Sequence, residues 1–258
     1  MAQGTYIHYE KQGNIACVTL NRPDKMNIMD TAVWQELYAC QNAIEADAAV
    51  RAVVINAEGK HFCAGIDLKM LKAASSQHML EHGAWQHRLY GRWQEWSIPV
   101  IAAVQGVCYG SGVELILGCN IRLSADNARY QMQEVKFALA PDMGGTTRLT
   151  KLVGIGQAKR MILACEEVDA AEALRIGLVE EVVPLAELNA RAMALAGKMA
   201  ALPPAAMGFA KRGINLAQEN STQAGLLFEY AQGVYCNGSA EQKEACAAFL
   251  EKREPKFE

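Results

Sequence analysis

Three carboxylates close to one glycine-rich stretch are the side chains best placed for acid–base chemistry: Glu114, Glu134 and Asp142. Glu114 lies four residues into a glycine-rich helix start and is followed by Leu115-Ile116-Leu117. A carboxylate in apolar surroundings costs free energy unless it is paired, solvated or protonated, so the pKa of Glu114 should rise. A raised pKa suits a general acid or base near neutral pH. The same reasoning applies less strongly to Glu134.

Each of these acids also has a purely structural interpretation. Glu114 could be a surface residue on an amphipathic helix, and Glu134 could simply be exposed. Asp142 precedes Gly144-Gly145-Thr146, and an Asp before a helix is a standard N-cap. The residues alone leave both interpretations of each acid open.

Two glycine turns could supply hydrogen-bond donors beside the acids. Gly110-Ser111-Gly112 and Gly65-Ile66-Asp67 can each present backbone N–H groups at a helix start. Glycine also lets a ligand carbonyl approach the backbone closely. Two such turns facing each other would form an oxyanion hole, whereas either one alone is only a glycine turn.

Other catalytic schemes have less support. His78 and His82 match the H-x-x-E-H zinc pattern and fall on one face of a helix, so a zinc peptidase is the hypothesis from another class. Nothing nearby specifies a further zinc ligand, so we interpret both histidines as solvated and expect no bound metal. Gly110-Ser111-Gly112 is not a G-x-S-x-G elbow, and the chain has neither a Walker loop nor a dinucleotide fingerprint.

The elements that must position these residues alternate between strands and helices. Residues 6–10 and 15–20 flank Gln12-Gly13-Asn14 and predict an antiparallel hairpin. Asp30 or Thr31 and, further on, Asp67 are expected to cap helices. From Leu185 onward every segment has a helical pattern, so we predict an α/β core followed by a helical appendage. Further strands are expected at residues 52–56, 98–104, 121–125, 129–132 and 178–183, and helices at residues 31–47, 75–96, 144–151, 157–164 and 170–175.

The composition is that of an ordinary globular protein, with 258 residues of which 51% are hydrophobic and 21% charged. A net charge of −3 gives no electrostatic reason to expect nucleic acid or a membrane surface as a partner. The eight cysteines are widely spaced and lie mostly in apolar runs, which indicates reduced, buried thiols. No signal peptide, membrane-spanning run or lipidation signal is evident, so we expect a cytoplasmic protein.

Three ordered motifs resemble those of the crotonase (enoyl-CoA hydratase/isomerase) superfamily. They are Phe62-Cys63-Ala64-Gly65-Ile66-Asp67-Leu68, Gly110-Ser111-Gly112-Val113-Glu114 and Gly144-Gly145-Thr146-Thr147-Arg148-Leu149. The resemblance extends over nearly the whole chain, from Asn21-Arg22-Pro23-Asp24-Lys25-Met26-Asn27 to Phe249-Leu250-Glu251-Lys252-Arg253. It implies an α/β fold, the crotonase (ClpP-like) spiral of β-β-α units. Residues 1–195 would form this core with the active site, and residues 196–258 a helical trimerisation region.

The resemblance implies an acyl-CoA thioester as substrate, no cofactor besides the coenzyme A of that substrate, and a homotrimer or homohexamer. The thioester carbonyl would lie between the backbone N–H groups of Ile66 and Ser111. The family usually has Gly at the position of Ser111. The other residues that the resemblance implies in substrate or CoA binding are Lys25, Ala64, Gly65, Asp67, Leu68 and Gly110, with Lys25 directed at the CoA phosphates.

Within the superfamily the acids decide the reaction. Hydratases resemble this chain in carrying Glu at the positions of both Glu114 and Glu134, with the same spacing of 134 − 114 = 20 residues. One glutamate would activate water and the other deliver a proton to C2, so the favoured function is syn addition of water to a trans-2-enoyl-CoA. Dienoyl-CoA isomerases carry a further Asp eight residues beyond the second acid, and Asp142 stands there, since 142 − 134 = 8. A dienoyl-CoA or enoyl-CoA isomerase is therefore the alternative.

Two more possibilities follow from the superfamily. One branch binds RNA through a lysine-rich first helix, but residues 31–47 contain acids and no Lys or Arg, so no nucleic-acid partner is expected. A catalytically silent acyl-CoA binder is the other possibility, and the retained acids argue against it.

Overall fold

A six-stranded, mostly parallel sheet is the centre of the structure, a computed structural model that describes residues 4–257. The strands found in this range are β1 (Ile7–Gln12), β2 (Ile15–Leu20), β3 (Ala52–Ala57), β4 (Val100–Val104), β5 (Val107–Tyr109), β6 (Ile121–Ala125), β7 (Arg129–Gln131), β8 (Val168–Asp169) and β9 (Glu181–Val183). The central sheet has the order β1-β2-β3-β4-β6-β9. Strands β1 and β2 run antiparallel, which confirms the predicted hairpin, and every other neighbouring pair is parallel.

A second, three-stranded sheet has the order β5-β7-β8. Strand β4 leads into β5 across Gln105 and Gly106, so the chain leaves one sheet and enters the other at this corner. Gly106 has a φ of 57°, and a Cβ there would lie 2.1 Å from the carbonyl oxygen of Lys60, so the corner requires glycine. The sequence pattern does not predict β5 or β8. Gly106 and Gly110 flank β5 and indicate a turn there, and β8 has only two residues.

The helices found between residues 4 and 257 are α1 (Thr31–Glu45), α2 (Leu68–Ala73), α3 (Ser76–Glu95), α4 (Ser111–Leu117), α5 (Gly145–Val153), α6 (Ile155–Leu163), α7 (Ala170–Arg175), α8 (Leu188–Ala200), α9 (Pro204–Ala217), α10 (Thr222–Cys236) and α11 (Ala240–Glu251). Short 3₁₀ segments lie at Pro23–Lys25, Glu134–Phe137 and Leu185–Glu187. Two predicted caps are confirmed. The Asp30 side chain accepts from the Val33 N–H at 3.0 Å, and that of Asp67 accepts from the Lys69 N–H at 2.7 Å. No helix in the described range is long and apolar enough to cross a bilayer.

The two faces of the central sheet bury different cores. Val53 of β3 belongs to the larger core, which also contains Trp34 of α1 and side chains of α3 and α4. The next residue, Val54, belongs to a smaller core with Ala192 and Ala196 of α8. Successive residues of a strand point to opposite faces, so the part of a strand that is covered on both sides must be apolar, as residues 52–55 of β3 are.

The C-terminal helices bury much less of their surface than α8 does. The division predicted between residues 195 and 196 falls inside α8, whose Ala192 and Ala196 are completely buried on the sheet. In contrast, α10 buries none of its residues, and its Leu227 and Tyr230 are 69% and 73% exposed. We therefore place the start of the C-terminal helical region at α9.

The eight cysteines, all within the described residues, form no disulfide bond. Six of them are buried, as the prediction of small, reduced, buried thiols requires. Cys236 is partly exposed and Cys246 is exposed.

Arg122 of β6 should contribute strongly to stability. It is 4% exposed, its Nε donates to the Leu178 carbonyl at 2.9 Å, its Nη1 donates to the Cys119 carbonyl at 2.9 Å, and it forms an ion pair with Glu180. Arg122→Met leaves buried acceptors without a donor and should lower the free energy of unfolding by on the order of 3 kcal/mol. Urea denaturation measures the loss.

A matched control is Arg175→Met on α7, where the arginine forms an exposed ion pair with Glu172 one turn earlier. Exposed pairs contribute little, so this variant should change the free energy of unfolding by less than about 0.5 kcal/mol. Equal losses in the two variants would contradict the role assigned to Arg122.

Candidate active site

Glu114 is buried at the start of α4 and is held by the backbone of a neighbouring loop. It is 3% exposed, which excludes the surface interpretation. Its Oε1 accepts hydrogen bonds from the Met143 N–H at 2.8 Å and the Gly145 N–H at 3.0 Å. A Cβ on Gly145 would lie 2.9 Å from that oxygen, so glycine allows the loop to come this close. With Oε1 occupied, Oε2 is the oxygen that can meet a ligand.

The surroundings of Glu114 bring its carboxyl group close to half-protonation at neutral pH. Burial, followed by the negative charge of Glu134, raises the pKa of Glu114 to about 7, although the N–H groups of Met143 and Gly145 oppose the rise. This agrees with the raised pKa that the sequence predicts. A carboxyl group in this state can either accept or deliver a proton.

Glu134 reaches the same region from a different segment. It is the first residue of the 3₁₀ segment Glu134–Phe137, shortly after the end of β7. A Cβ on Gly110 would lie 3.0 Å from Glu134 Oε1, so this carboxylate lies against the turn that begins α4. Its Oε2 is buried and has no hydrogen-bond partner among residues 4–257. Burial raises the pKa of Glu134, the backbone N–H groups of Glu134 and Gln133 oppose this, and the charge of Asp142 adds to the rise.

Asp142 lies at the exposed rim of this region and does not cap α5. The N-cap of α5 is Gly144, so the structural interpretation of Asp142 as a cap is wrong. Neighbouring protein atoms partly desolvate the carboxylate and raise the pKa of Asp142, whereas the charge of His87 lowers it. Asp142 and His87 both line a cavity of about 780 Å³ that extends along α5 to α9. Asp142 is thus the most solvent-accessible of the three acids.

The N–H groups of Ile66 and Ser111 lie close together and are free. Ser111 begins α4, and a Cβ built on Gly65 would lie 3.9 Å from the Ser111 nitrogen, where the φ of 103° at Gly65 also favours glycine. Met29 donates to the Gly65 carbonyl at 2.8 Å and accepts from the Asp67 N–H at 2.8 Å, a pattern that bypasses the Ile66 N–H. Neither the Ile66 nor the Ser111 N–H has an acceptor within the described chain. Two such donors side by side are what an oxyanion hole requires.

The residues expected along the CoA path lie in the segments on either side of this donor pair. The Ala64 N–H donates to the Met26 carbonyl at 3.0 Å, which brings the exposed Lys25 next to Ala64. Leu68 is 52% exposed. Asp67 has a structural task as well, because its carboxylate caps α2. Gly110, with a φ of 48°, accommodates the Glu134 carboxylate beside it.

Arg148 supports the site, although its sequence context predicts no role for it. Its Nη1 donates to the Met143 carbonyl at 3.0 Å and its Nε donates to Gln94 of α3 at 3.0 Å. The guanidinium thereby ties the loop that holds Glu114 to α3. Burial lowers the pKa of Arg148, and the negative charge of Glu114 opposes this. The only sequence signal was its place in the Gly144-Gly145-Thr146-Thr147-Arg148-Leu149 motif.

The zinc hypothesis rests on two histidines of α3. His78 and His82 are neighbours on α3, with ring centroids 4.5 Å apart. Within residues 4–257 no group of three His, Cys, Asp or Glu side chains is arranged to hold a metal ion. The zinc-peptidase hypothesis therefore has no structural support.

Comparison with known proteins identifies the family. A family model described as enoyl-CoA hydratase/isomerase matches residues 10–258. The short-chain-enoyl-CoA hydratase of Clostridium acetobutylicum is 37% identical over 245 residues, which cover 95% of this chain and 94% of that protein. The crotonyl-CoA hydratase of Syntrophomonas wolfei is 33% identical over 252 residues, 97% of each chain. The chain belongs to the enoyl-CoA hydratase/isomerase family, as its motifs predicted.

The fold agrees with this assignment. The crystal structure of an enoyl-CoA hydratase from Bacillus anthracis matches with a TM-score of 0.93 and 31% identity, over 98% of both chains. The shared fold therefore includes the C-terminal helices. The predicted α/β crotonase fold with a C-terminal helical region is confirmed.

The raised pKa of Glu114 predicts a specific dependence of stability on pH. A carboxyl group with a higher pKa in the folded state stabilises the fold below its unfolded pKa of about 4.5, and this stabilisation is lost as the pH rises through about 7. Glu114→Gln removes the titration. The free energy of unfolding of the variant, relative to wild type, should therefore rise by on the order of 3 kcal/mol between pH 4.5 and pH 8. Urea unfolding at the two pH values measures it.

Glu58→Gln is the control, because Glu58 is exposed. Its stability should follow that of wild type at both pH values. If Glu114→Gln also runs parallel to wild type, the carboxyl group at position 114 is not held in the environment described above.

Proposed function

We propose that the protein is a 2-enoyl-CoA hydratase that adds water across the double bond of a trans-2-enoyl-CoA thioester. One observation carries this: two glutamates from separate segments, Glu114 and Glu134, meet beside two free backbone N–H groups. Curated relatives of full length that are named enoyl-CoA or crotonyl-CoA hydratases support the assignment.

The thioester carbonyl is proposed to bind between the N–H groups of Ile66 and Ser111. Withdrawal of electrons toward that oxygen makes C3 electrophilic and stabilises the enolate that forms when water adds. The donors are backbone groups fixed by secondary structure, so they need no reorganisation during the reaction. The donor at Ser111 is its backbone N–H, and the side chain does not touch the carbonyl in this scheme.

The two glutamates would hold and divide one water molecule. The carboxylate that is ionised takes a proton from water as the oxygen attacks C3, and the carboxyl group that is protonated delivers its proton to C2. The hydroxyl group of the water is added to C3. The first glutamate keeps the water proton, which replaces the proton that the second glutamate gives to C2. The net reaction is the addition of one water molecule. We propose that both groups act from the same side of the substrate, which would make the addition syn. Because burial and the charge of Glu134 raise the pKa of Glu114 to about 7, Glu114 can supply or accept the proton near neutral pH.

The isomerase alternative has weaker support from the site. A double-bond shift without water would need Asp142 and Glu134 to exchange a proton through the substrate. Asp142 is near enough to affect the pKa of Glu134, but it lies at the exposed rim beside His87. A silent acyl-CoA binder has no use for a carboxyl group buried at the position of Glu114, since its burial costs stability at neutral pH.

The CoA portion of the substrate is proposed to leave the site along the segments that flank the hole. Lys25 would meet its phosphates, and the other residues proposed to line its path are Ala64, Gly65, Asp67, Leu68 and Gly110. Since the chemistry uses carboxyl groups and backbone donors, no cofactor is proposed besides the coenzyme A of the substrate. We place the enzyme in the cytoplasm and in the β-oxidation of fatty acids.

The exposed apolar face of α10 supports a homo-oligomer. Leu226, Leu227, Tyr230 and Val234 are between 58% and 73% exposed and fall on one side of the helix. Apolar side chains that cluster in this way on a surface usually mark a contact between proteins. We propose a homotrimer, or a hexamer of two trimers, built through this face.

The reaction is tested by two carboxamide variants with crotonyl-CoA. Glu114→Gln should lower kcat for hydration by on the order of a thousandfold, because it removes an acid–base group without changing its shape. Asp142→Asn should change kcat by less than about threefold. Loss of the enoyl absorbance gives the rates, and the mass of the product separates hydration from isomerisation. Unchanged hydration by Glu114→Gln would overturn the hydratase proposal, and a severe loss in Asp142→Asn with a dienoyl-CoA would favour the isomerase.

The oligomer is tested by light scattering during gel filtration. The wild type should elute with the mass of three or six 28.1 kDa chains. Leu227→Asp places a charge on the proposed contact and should yield monomers. Glu58→Lys, a charge change at an exposed residue outside the C-terminal helices, should leave the mass unaltered. A monomeric wild type would refute the proposal.

A further inference from the structure

Three buried side chains from three different helices form a chain of hydrogen bonds that ends at Ser111. The indole Nε1 of Trp34 in α1 donates to the hydroxyl of Tyr90 in α3 at 3.1 Å. The same hydroxyl lies 2.6 Å from Ser111 Oγ at the start of α4. Trp34, Tyr90 and Ser111 are 1%, 0% and 6% exposed. Hydrogen bonds therefore connect the side chain of Ser111, which offers one N–H of the oxyanion hole, to helices α3 and α1.

The direction of these hydrogen bonds can be deduced from the available donors. An indole N–H only donates, so the Tyr90 oxygen accepts from Trp34. Burial raises the pKa of Tyr90, so the phenol keeps its proton. A phenol proton enclosed on all sides needs an acceptor, since an unpaired buried donor costs free energy. Ser111 Oγ is the other partner of this hydroxyl within the described residues, so Tyr90 donates to Ser111.

The backbone around Ser111 explains why such a tie matters. Glycines stand on both sides of it, and glycine permits more backbone conformations than any other residue. Gly110 has a φ of 48°. Gly112 fits closely, because a Cβ there would lie 2.7 Å from the Cys63 carbonyl oxygen. The peptide that carries the Ser111 N–H is held at its carbonyl, because the Gly110 oxygen accepts from the Glu114 N–H at 3.0 Å. The side chain of Ser111, bonded to Tyr90, is a second attachment that restricts rotation of this peptide.

We propose that Tyr90, held by Trp34, is a positioning residue that fixes the peptide N–H of Ser111 for the reacting carbonyl oxygen. The inference rests on the proposed function, in which that N–H belongs to the oxyanion hole. Tyr90 does not touch the substrate in this scheme and acts through the hydroxyl of Ser111. The three side chains work as one unit, so the loss of any hydrogen bond in the chain should have the same consequence.

The alternative is that the chain only stabilises the fold, and the protein contains a matched pair for comparison. Tyr130 of β7 donates to Ser124 Oγ of β6 at 2.8 Å, and both residues are completely buried. This pair has the same chemistry and the same burial but no contact with the donor pair. Removal of its hydrogen bond therefore measures the structural effect alone.

The test is a double-mutant cycle on hydration of crotonyl-CoA. Tyr90→Phe and Ser111→Ala should each lower kcat about tenfold, with KM changed less than about twofold, because an N–H that is misplaced weakens transition-state stabilisation more than ground-state binding. The double variant should lose no more than either single variant. Tyr130→Phe and Ser124→Ala should lower the melting temperature and leave kcat at the wild-type value. If the losses multiply in the double variant, or if Tyr130→Phe lowers kcat as much as Tyr90→Phe, the proposal is wrong.

A second readout does not depend on turnover. Acetoacetyl-CoA has an acidic C2 position, and an oxyanion hole favours its enolate, which is followed by ultraviolet absorbance. Tyr90→Phe and Ser111→Ala should reduce the bound enolate fraction and raise the pH for half-conversion by about one unit, a tenfold weaker preference for the enolate. The Tyr130 and Ser124 variants should match wild type.

The two readouts separate this inference from the proposed function. A wild-type protein that forms the bound enolate, loses it in Tyr90→Phe, but does not hydrate crotonyl-CoA would overturn the hydratase proposal and support the positioning role. If the wild type hydrates crotonyl-CoA, and Tyr90→Phe and Ser111→Ala form as much bound enolate as the wild type does, only the positioning role is overturned.

Discussion

Burial of the Glu114 carboxylate is the constraint on which the rest of the site depends. An acid that is 3% exposed is costly to ionise, and the protein offsets this with two backbone N–H groups on Oε1. Those donors come from a loop that Arg148 ties to α3. Glu134 then lies close enough to raise the pKa of Glu114. The position in which the backbone holds Glu114 therefore sets the pKa that proton transfer during water addition requires.

Close approach between backbone segments is the second requirement. A side chain at position 65 would crowd the Tyr109 carbonyl just before α4, and one at position 112 would collide with the Cys63 carbonyl. Gly145 does the same for the loop that binds Glu114. These glycines are needed because segments far apart in the chain must nearly touch for two N–H groups and two carboxylates to face one volume. Ser111 is the departure from this pattern, and its side chain is occupied by the hydrogen bond with Tyr90.

Local patterns in the chain predicted a large part of the fold. The β-branched run of β3, the Asp caps of α1 and α2, and the hairpin of β1 and β2 were all readable, since each depends on neighbours in sequence. Strand β5 was not predicted because the glycines that flank it indicate a turn, and because it pairs with β7, which lies twenty residues further on. The boundary predicted between residues 195 and 196 falls inside α8, because a helical period does not reveal whether a helix packs on a sheet or on another chain.

By itself the sequence determined which residue types are available and in what order: an acid after a glycine turn, a second acid twenty residues on, a third eight residues later. Motif spacing was enough to indicate the family. Only the tertiary structure decided that Glu114 is buried and held, that Glu134 turns toward it, and that Asp142 stays at the rim. The reason is physical. The pKa of a carboxyl group and the groups that surround it depend on burial and on contacts between distant segments, and no short stretch of chain encodes either.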